Sequence, residues 1–280
     1  MLQFGDSFDY NNRNSNEFNV QIVRINNLDV PLGLQKEILK GSTNFYKYRA
    51  DHYGSLYSDV LSFEIYLIKN TCNGDSAFTK EEIREIIGWL TSPHTPKKFH
   101  MYNFEYEHEE EYDYYGLFTD IQYEFTNAGN DGKPAAIIAT FVCDSPFGWV
   151  PRTETLEIQD NTSVTVVVDS DEWEDYIYPC IKVEMDNITG ATNRLFSIVN
   201  ISDDSHKFEM SASDNQVFWI DSQKMTLYDN IGLLNLDCLN LADEGYIYLP
   251  RLVNGRNELI LSGHCTVTIT WEEPRKTGAW

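Results

Sequence analysis

Positive charge is what this sequence has least of. Against 44 aspartates and glutamates stand 21 lysines and arginines, for a formal net charge of −23 at neutral pH. The deficit runs through both halves rather than sitting in one acidic tail. A protein that grips nucleic acid through its phosphates needs the opposite sign, so specific nucleic-acid binding is excluded. Disulfide and zinc frameworks are missing too: the five cysteines, Cys72, Cys143, Cys180, Cys238 and Cys265, lie far apart, are odd in number and form no CxxC pair. That is expected of scattered core thiols made in a reducing cytoplasm. No run of about 18 apolar residues occurs, and the opening stretch MLQFGDSFDYNNRNSNEF has no basic cap ahead of an apolar segment. The expectation is a protein neither exported by a signal peptide nor inserted in a membrane. The common motifs of chemistry are also lacking, with no GxSxG, no GxxxxGKS/T, no HExxH and no cysteine with a motif-level histidine partner. No cofactor is implied.

What is present favours strands. Tyrosine (17) and phenylalanine (15) are abundant while alanine is scarce, which predicts a mostly β protein. The 280 residues are enough for two cores, and the boundary is expected near residue 150, giving domains 1–150 and 151–280. Residues 18–25 alternate apolar and polar side chains, as do Leu61, Phe63, Ile65 and Leu67, the two-residue period of a strand with one buried face. The intervening stretch 27–57, with Gly33, Gly41 and Gly54 and no sustained period, reads as a short strand plus a long arm or loop. One helix is well marked. Thr79 and Glu82 form a capping box, Phe78 and Ile83 staple the entry, Ile83, Ile86, Ile87 and Leu90 make an apolar stripe, and Pro93 and Pro96 stop it. Two β-rich runs, 114–126 and 134–143, flank AGNDG and read as a long antiparallel hairpin. DSPFGWVPRTE then breaks the period and reads as the connector between domains. Beyond it, short strands recur at 163–168, 176–185, 195–201, 207–210, 217–220, 225–228 and 265–271, the spacing of a β-sandwich.

Two stretches carry a family resemblance. The first runs from the helix ending in GWLTSP, through KKFHMYNF, to the hairpin ending in IIATFVCDSPFGW. The second is YLPRLVNGRNELILSG with a final strand and EEPRKTG, in which an apolar or aromatic residue and Pro250 precede a loop with Gly255 and Asn257. Together they resemble the distal tail proteins of siphophage-type tails over nearly the whole chain. The resemblance implies an N-terminal belt-type β domain with one α-helix, a C-terminal galectin-like β-sandwich, and a homo-oligomeric ring, a hexamer. First domains would form a belt around a central channel, and second domains would sit outside, carrying adhesion or baseplate parts. Its implied partners are the tail tube protein, the central tail-tip protein and receptor-binding or baseplate proteins, and its implied place is the virion's tail tip. Members with an inserted carbohydrate-binding module are longer, so direct host binding by this subunit is not implied.

Candidate chemistry is sparse. EYEHEEEYDYY holds Glu105, Glu107, Glu109, Glu110, Glu111 and Asp113. Glycoside hydrolysis needs two carboxyls set across a cleft, whereas consecutive residues point apart, and a solvated acidic loop is the plainer reading. In a ring that DNA crosses, such acids would line the channel and repel phosphate. His94, His100 and His108 lie near them without ligand spacing for zinc. Asp169, Asp171, Glu172, Glu174 and Asp175 lack the glycine turn and spacing of an EF-hand. Trp173, Trp219 and Trp271 could make a sugar-stacking platform, although the last two fall in strand patterns and suit a core or an interface. The hairpin can add an edge to a neighbour's sheet, so Tyr114, Phe118, Ile121, Tyr123, Ile137, Ile138 and Phe141 are the candidate ring interface. A tail-ring subunit is thus the leading expectation, ahead of a host-glycan binding module and, third, a glycan hydrolase.

Overall fold

The computed structural model describes residues 7–26, 34–40, 52–70, 77–102, 111–125, 132–187, 194–234, 236–239 and 246–276. The chain divides into two compact units, residues 1–150 with 275–280, and residues 151–274.

The first unit contains β1 (Phe8–Tyr10), β2 (Arg13–Asn14), β3 (Val20–Asn26), β4 (Lys36–Lys40), β5 (His52–Tyr57), β6 (Ser62–Lys69), α1 (Lys80–Thr91), β7 (Lys97–Met101), β8 (Asp113–Phe125) and β9 (Pro134–Cys143). Antiparallel pairing runs β3-β6-β9-β8-β7-β1-β2, while β4 and β5 pair with each other as a separate hairpin. Along β6 the expected alternation puts Phe63, Ile65 and Leu67 inside. Facing strands deliver one aromatic each to a common centre: Phe63 lies opposite Phe141 and Phe141 opposite Phe118, with Phe99, Phe118 and Phe63 rings 5.0, 5.0 and 5.4 Å from that of Phe141.

The helix forms where its local signals lie. Thr79 Oγ1 accepts from the Glu82 backbone N–H at 3.2 Å and the Glu82 carboxylate accepts from Thr79 N–H at 2.8 Å, which closes the capping box. Ile86 and Leu90 are buried as the stripe requires, and Trp89, which lies outside that stripe, is buried with them. Its ring is held between Phe18 at 4.3 Å and Phe8 at 5.2 Å, and its indole N–H donates to the Tyr10 carbonyl at 3.0 Å. Those partners are some 70 to 80 residues away along the chain, so helical periodicity could not reveal them.

The second unit is a β-sandwich. After β10 (Gly148–Gln159) come β11 (Thr162–Val168), β12 (Cys180–Met185), β13 (Arg194–Asn200), β14 (His206–Ala212), β15 (Val217–Asp221), β16 (Thr226–Asp229), β17 (Gly255–Ser262) and β18 (His264–Arg275). One sheet runs β16-β15-β12-β18-β10 and the other β11-β17-β13-β14. Their inner faces share one core, with Phe196, Phe208, Leu259 and Leu261 from the second sheet meeting Ile181, Phe218, Val267 and Ile269 from the first.

Three expectations are corrected. The segment read as a connector already contains the start of β10, which tolerates Pro151 at an exposed position. The expected strand 176–185 starts only at Cys180, since Pro179 intervenes and Ile177 makes an isolated bridge to Leu252. Gly255 and Asn257, read as loop residues, belong to strand β17, which pairs with β11 from Gly255 to Leu261.

Candidate functional site

Of the acidic run, Glu105, Glu107, Glu109 and Glu110, with His108, lie outside the described residues. Glu111 is exposed, and its carboxylate stands 3.2 Å from His100 Nε2. Asp113 behaves differently. It opens β8 with its side chain 1% exposed, its Oδ1 2.7 Å from His100 Nδ1 and its other oxygen on the Lys98 ammonium. Burial penalises its charge, yet the hydrogen bonds from His100 and Lys98 outweigh this and hold its carboxyl below the usual value. Asp113 is therefore corrected from a channel-lining acid to a structural ion partner. Asp113 is buried where Glu111, on the same histidine, is exposed.

The same contact raises the His100 imidazolium pKa, chiefly through the Asp113 hydrogen bond, with burial opposing and Glu111 adding to it. Tyr102 packs edge-on against this ring and donates to Asp9 at 2.6 Å, a bond that pushes its hydroxyl up to about 12. A His100 pKa lifted above its ordinary 6.5 contributes stability that is fully present below pH 6.5 and lost as pH rises through the folded value. Urea unfolding of the first unit should thus shift to lower denaturant between pH 6 and pH 9, and His100→Gln should flatten that dependence. An equal shift in the variant would assign it to other groups.

The candidate interface residues divide. Tyr114, Phe118, Ile137 and Phe141 are all under 7% exposed and belong to the core of the first unit, so their expected role at a surface is corrected. Ile121 and Ile138 are half-buried and Tyr123 is exposed, and next to Tyr123 lie exposed Asp120, Gln122, Glu124 and Phe125. This distal part of β8 is covered by β9 on one edge. On the other edge the β7 pairing ends at Gly116, and no other described strand pairs beyond it. The end of the hairpin thus exposes apolar side chains and carboxylates along an edge that no described strand pairs.

In the second unit the motif residues do structural work. Asn257 is fully buried. Its Oδ1 accepts from Val253 N–H at 2.8 Å and from Asn200 Nδ2 at 2.9 Å, while its Nδ2 donates to the Val253 carbonyl at 2.8 Å and the Gly255 carbonyl at 3.2 Å. Gly255 turns the chain into β17 at φ +88°, a conformation L side chains rarely adopt. Pro250 lines a cleft in this unit with Asp203, His206, Tyr248 and Arg251. There Arg251 forks onto Asp203 at 2.7 and 3.0 Å and lies 3.7 Å over the Tyr176 ring, an interaction sequence spacing could not show. The three tryptophans do not form one platform: Trp271 is buried, Trp219 stacks on Tyr228 across β15 and β16, and Trp173 is exposed. Among the described residues no cluster of three or more histidine, cysteine or carboxylate groups could hold a metal.

Comparison with known proteins covers both units. Residues 4–145 match the family described as the phage tail protein N-terminal domain, and residues 147–271 match the phage tail C-terminal domain. Among solved structures, the Dit (gp 19.1) protein of phage SPP1, described as a paradigm of the hub adsorption apparatus in phages infecting Gram-positive hosts, is similar at a TM-score of 0.59 and 13% identity, over 96% of this chain and 99% of that one. A chain of the phage P2 baseplate in its activated conformation with Ca is similar at 0.51 and 10% identity, over 95% and 97% of the two chains. Its counterpart with Sr gives 0.52 and 11%, over the same shares. At these identities the structures show a shared fold. A search of curated proteins by sequence finds no match.

Proposed function

The chain belongs to the phage tail protein family that its two domain matches define, and from that premise we propose that it is the ring subunit joining the tail tube to the central tail-tip protein. Six copies close into a ring. The first domain, 1–150, forms the belt, and the second, 151–280, lies outside and carries receptor-binding or baseplate proteins. The acids Glu105, Glu107, Glu109, Glu110 and Glu111 face the passage, where their like charge keeps the phosphate backbone from adhering. Its role is geometric and requires no catalysis.

The observation that carries this reading is the extent of the likeness to the SPP1 hub protein, which covers 96% of this chain and 99% of that one. Supporting it, the β8 end has an edge that no described strand pairs, the kind that strand addition between copies uses, and a head-to-tail contact of that kind ends in a closed ring when its rotation closes. Native mass spectrometry and negative-stain imaging of the purified chain at micromolar concentration should show a six-fold particle with a central hole. A monomer under those conditions would overturn the reading.

A further inference from the structure

Three connections of the second unit meet at the cleft around Arg251: the segment ahead of β12, the turn from β13 into β14, and the segment ahead of β17. Ile177 exchanges backbone hydrogen bonds with Leu252 at 2.9 and 2.8 Å, which fixes the first segment beside the third. Ile177 is buried, whereas its neighbours Tyr176 and Tyr178 are 39 and 46% exposed and Tyr246 is 61% exposed. The side chains touch in series. The Tyr246 ring lies 6.5 Å from that of Tyr248, which stacks on His206 at 4.3 Å, and His206 Nδ1 stands 3.3 Å from Asp203. Arg251, forked onto Asp203, then covers the Tyr176 ring at 3.7 Å.

Such a series has two kinds of binding group. The exposed tyrosines offer rigid apolar faces that lose little conformational freedom on contact. Between them Asp203 is buried at 5% exposure and locked by Arg251, whose guanidinium has donors beyond the two that Asp203 takes. A few polar groups held in fixed positions among apolar faces is the pattern of a small-ligand site. A pyranose ring matches it, because its CH faces stack on aromatic rings while its rim hydroxyls both donate and accept. Charge narrows the choice of sugar. Asp203 cancels the charge of Arg251 and the chain carries −23, so nothing here draws a phosphate or uronate polymer. The centre of a protein interface is depleted of charge, whereas the middle of this series is an ion pair.

We propose that this face of the second unit binds a neutral glycan, Tyr176, Tyr178 and Tyr246 stacking on its sugar rings while Arg251 and Asp203 hold its hydroxyls. The platform that the tryptophans do not form is thus formed by tyrosines. Ring closure and sugar binding are independent properties, read by separate measurements, and either can fail alone.

The full chain, screened on an array of neutral oligosaccharides of glucose, galactose, rhamnose and N-acetylglucosamine, should bind at least one of them, and titration calorimetry then reads the affinity. Tyr176→Ala and Tyr246→Ala should each weaken it about tenfold through the loss of one stacked ring. Arg251→Lys, which keeps the charge without the planar fork, should weaken it by a similar factor. Ile231→Ala, at a position 96% exposed and outside this face, should bind like the parent. The Tyr246 ring is exposed, so the thermal melt of Tyr246→Ala should match the parent and separate lost binding from lost folding. A silent array, binding confined to anionic polymers, or tyrosine variants that bind like the parent would each overturn the proposal. A silent array together with loss of another tail protein from Tyr246→Ala particles would make the face a protein docking site instead.

Discussion

Gly116→Ala is expected to cost more than about 3 kcal/mol of the first unit's stability, or to prevent its folding. A methyl group built on Gly116 would lie 2.2 Å from the Val142 carbonyl oxygen, 2.9 Å from Cys143 Cα and 2.9 Å from a Phe141 ring carbon. Two of these atoms are β9 backbone, which cannot swing aside as a side-chain tip can. Gly116 is paired with Cys143 of β9 and with Lys97 of β7, so the close approach falls where three strands meet. Relief requires moving β9 away from β8, which would loosen the Phe63, Phe118 and Phe141 packing behind it. Urea unfolding of the full chain would show the first unit's transition shifted or missing. A variant within about 1 kcal/mol of the parent would mean the strands separate easily there.

Asn257→Leu should destabilise the second unit by roughly 3–4 kcal/mol, a large share of the 5–15 kcal/mol that holds a typical domain. Leucine fills similar space but makes none of the four hydrogen bonds of Asn257. It also leaves Val253 N–H and one Asn200 Nδ2 hydrogen without the acceptor they share. Asn200 still donates to the Arg251 carbonyl at 2.9 Å, which limits the loss. Asn257→Asp keeps the oxygen that accepts both bonds but sets a buried carboxylate oxygen against the Val253 and Gly255 carbonyls, so it should be destabilised as well, and more so as pH rises. If the leucine variant unfolded with the parent, the turn before β17 would be fixed by Gly255 and the sheet alone.

Legibility in the sequence tracked how local each signal was. The helix was readable because Thr79, Glu82 and Ile83 act within one turn of each other. The hairpin strands were readable from two β-rich runs close in sequence, although the tip itself lies outside the described residues. β17 was obscured because its first residues, Gly255 and Asn257, are turn-forming types, and only pairing with Val166 and Val168 of β11 commits them to a strand.

The candidate surface was read less well, for a related reason. In β8 and β9 the sequence offered a row of large apolar residues and no way to sort them. Local signals by themselves determined three things: alternation put Tyr114 and Phe118 on one side, composition made the chain mostly β, and a capping box placed a helix before the hairpin. Only the tertiary structure decided that this side is closed by α1, β1 and β6, so that Tyr114, Phe118, Ile137 and Phe141 became core while Tyr123 and Phe125, beyond the reach of those elements, stayed at the surface. It likewise decided that Asp113 is buried against Lys98 and His100. The period of two names two faces, but which face is buried depends on neighbours far away in the chain, and that is settled by packing rather than by spacing.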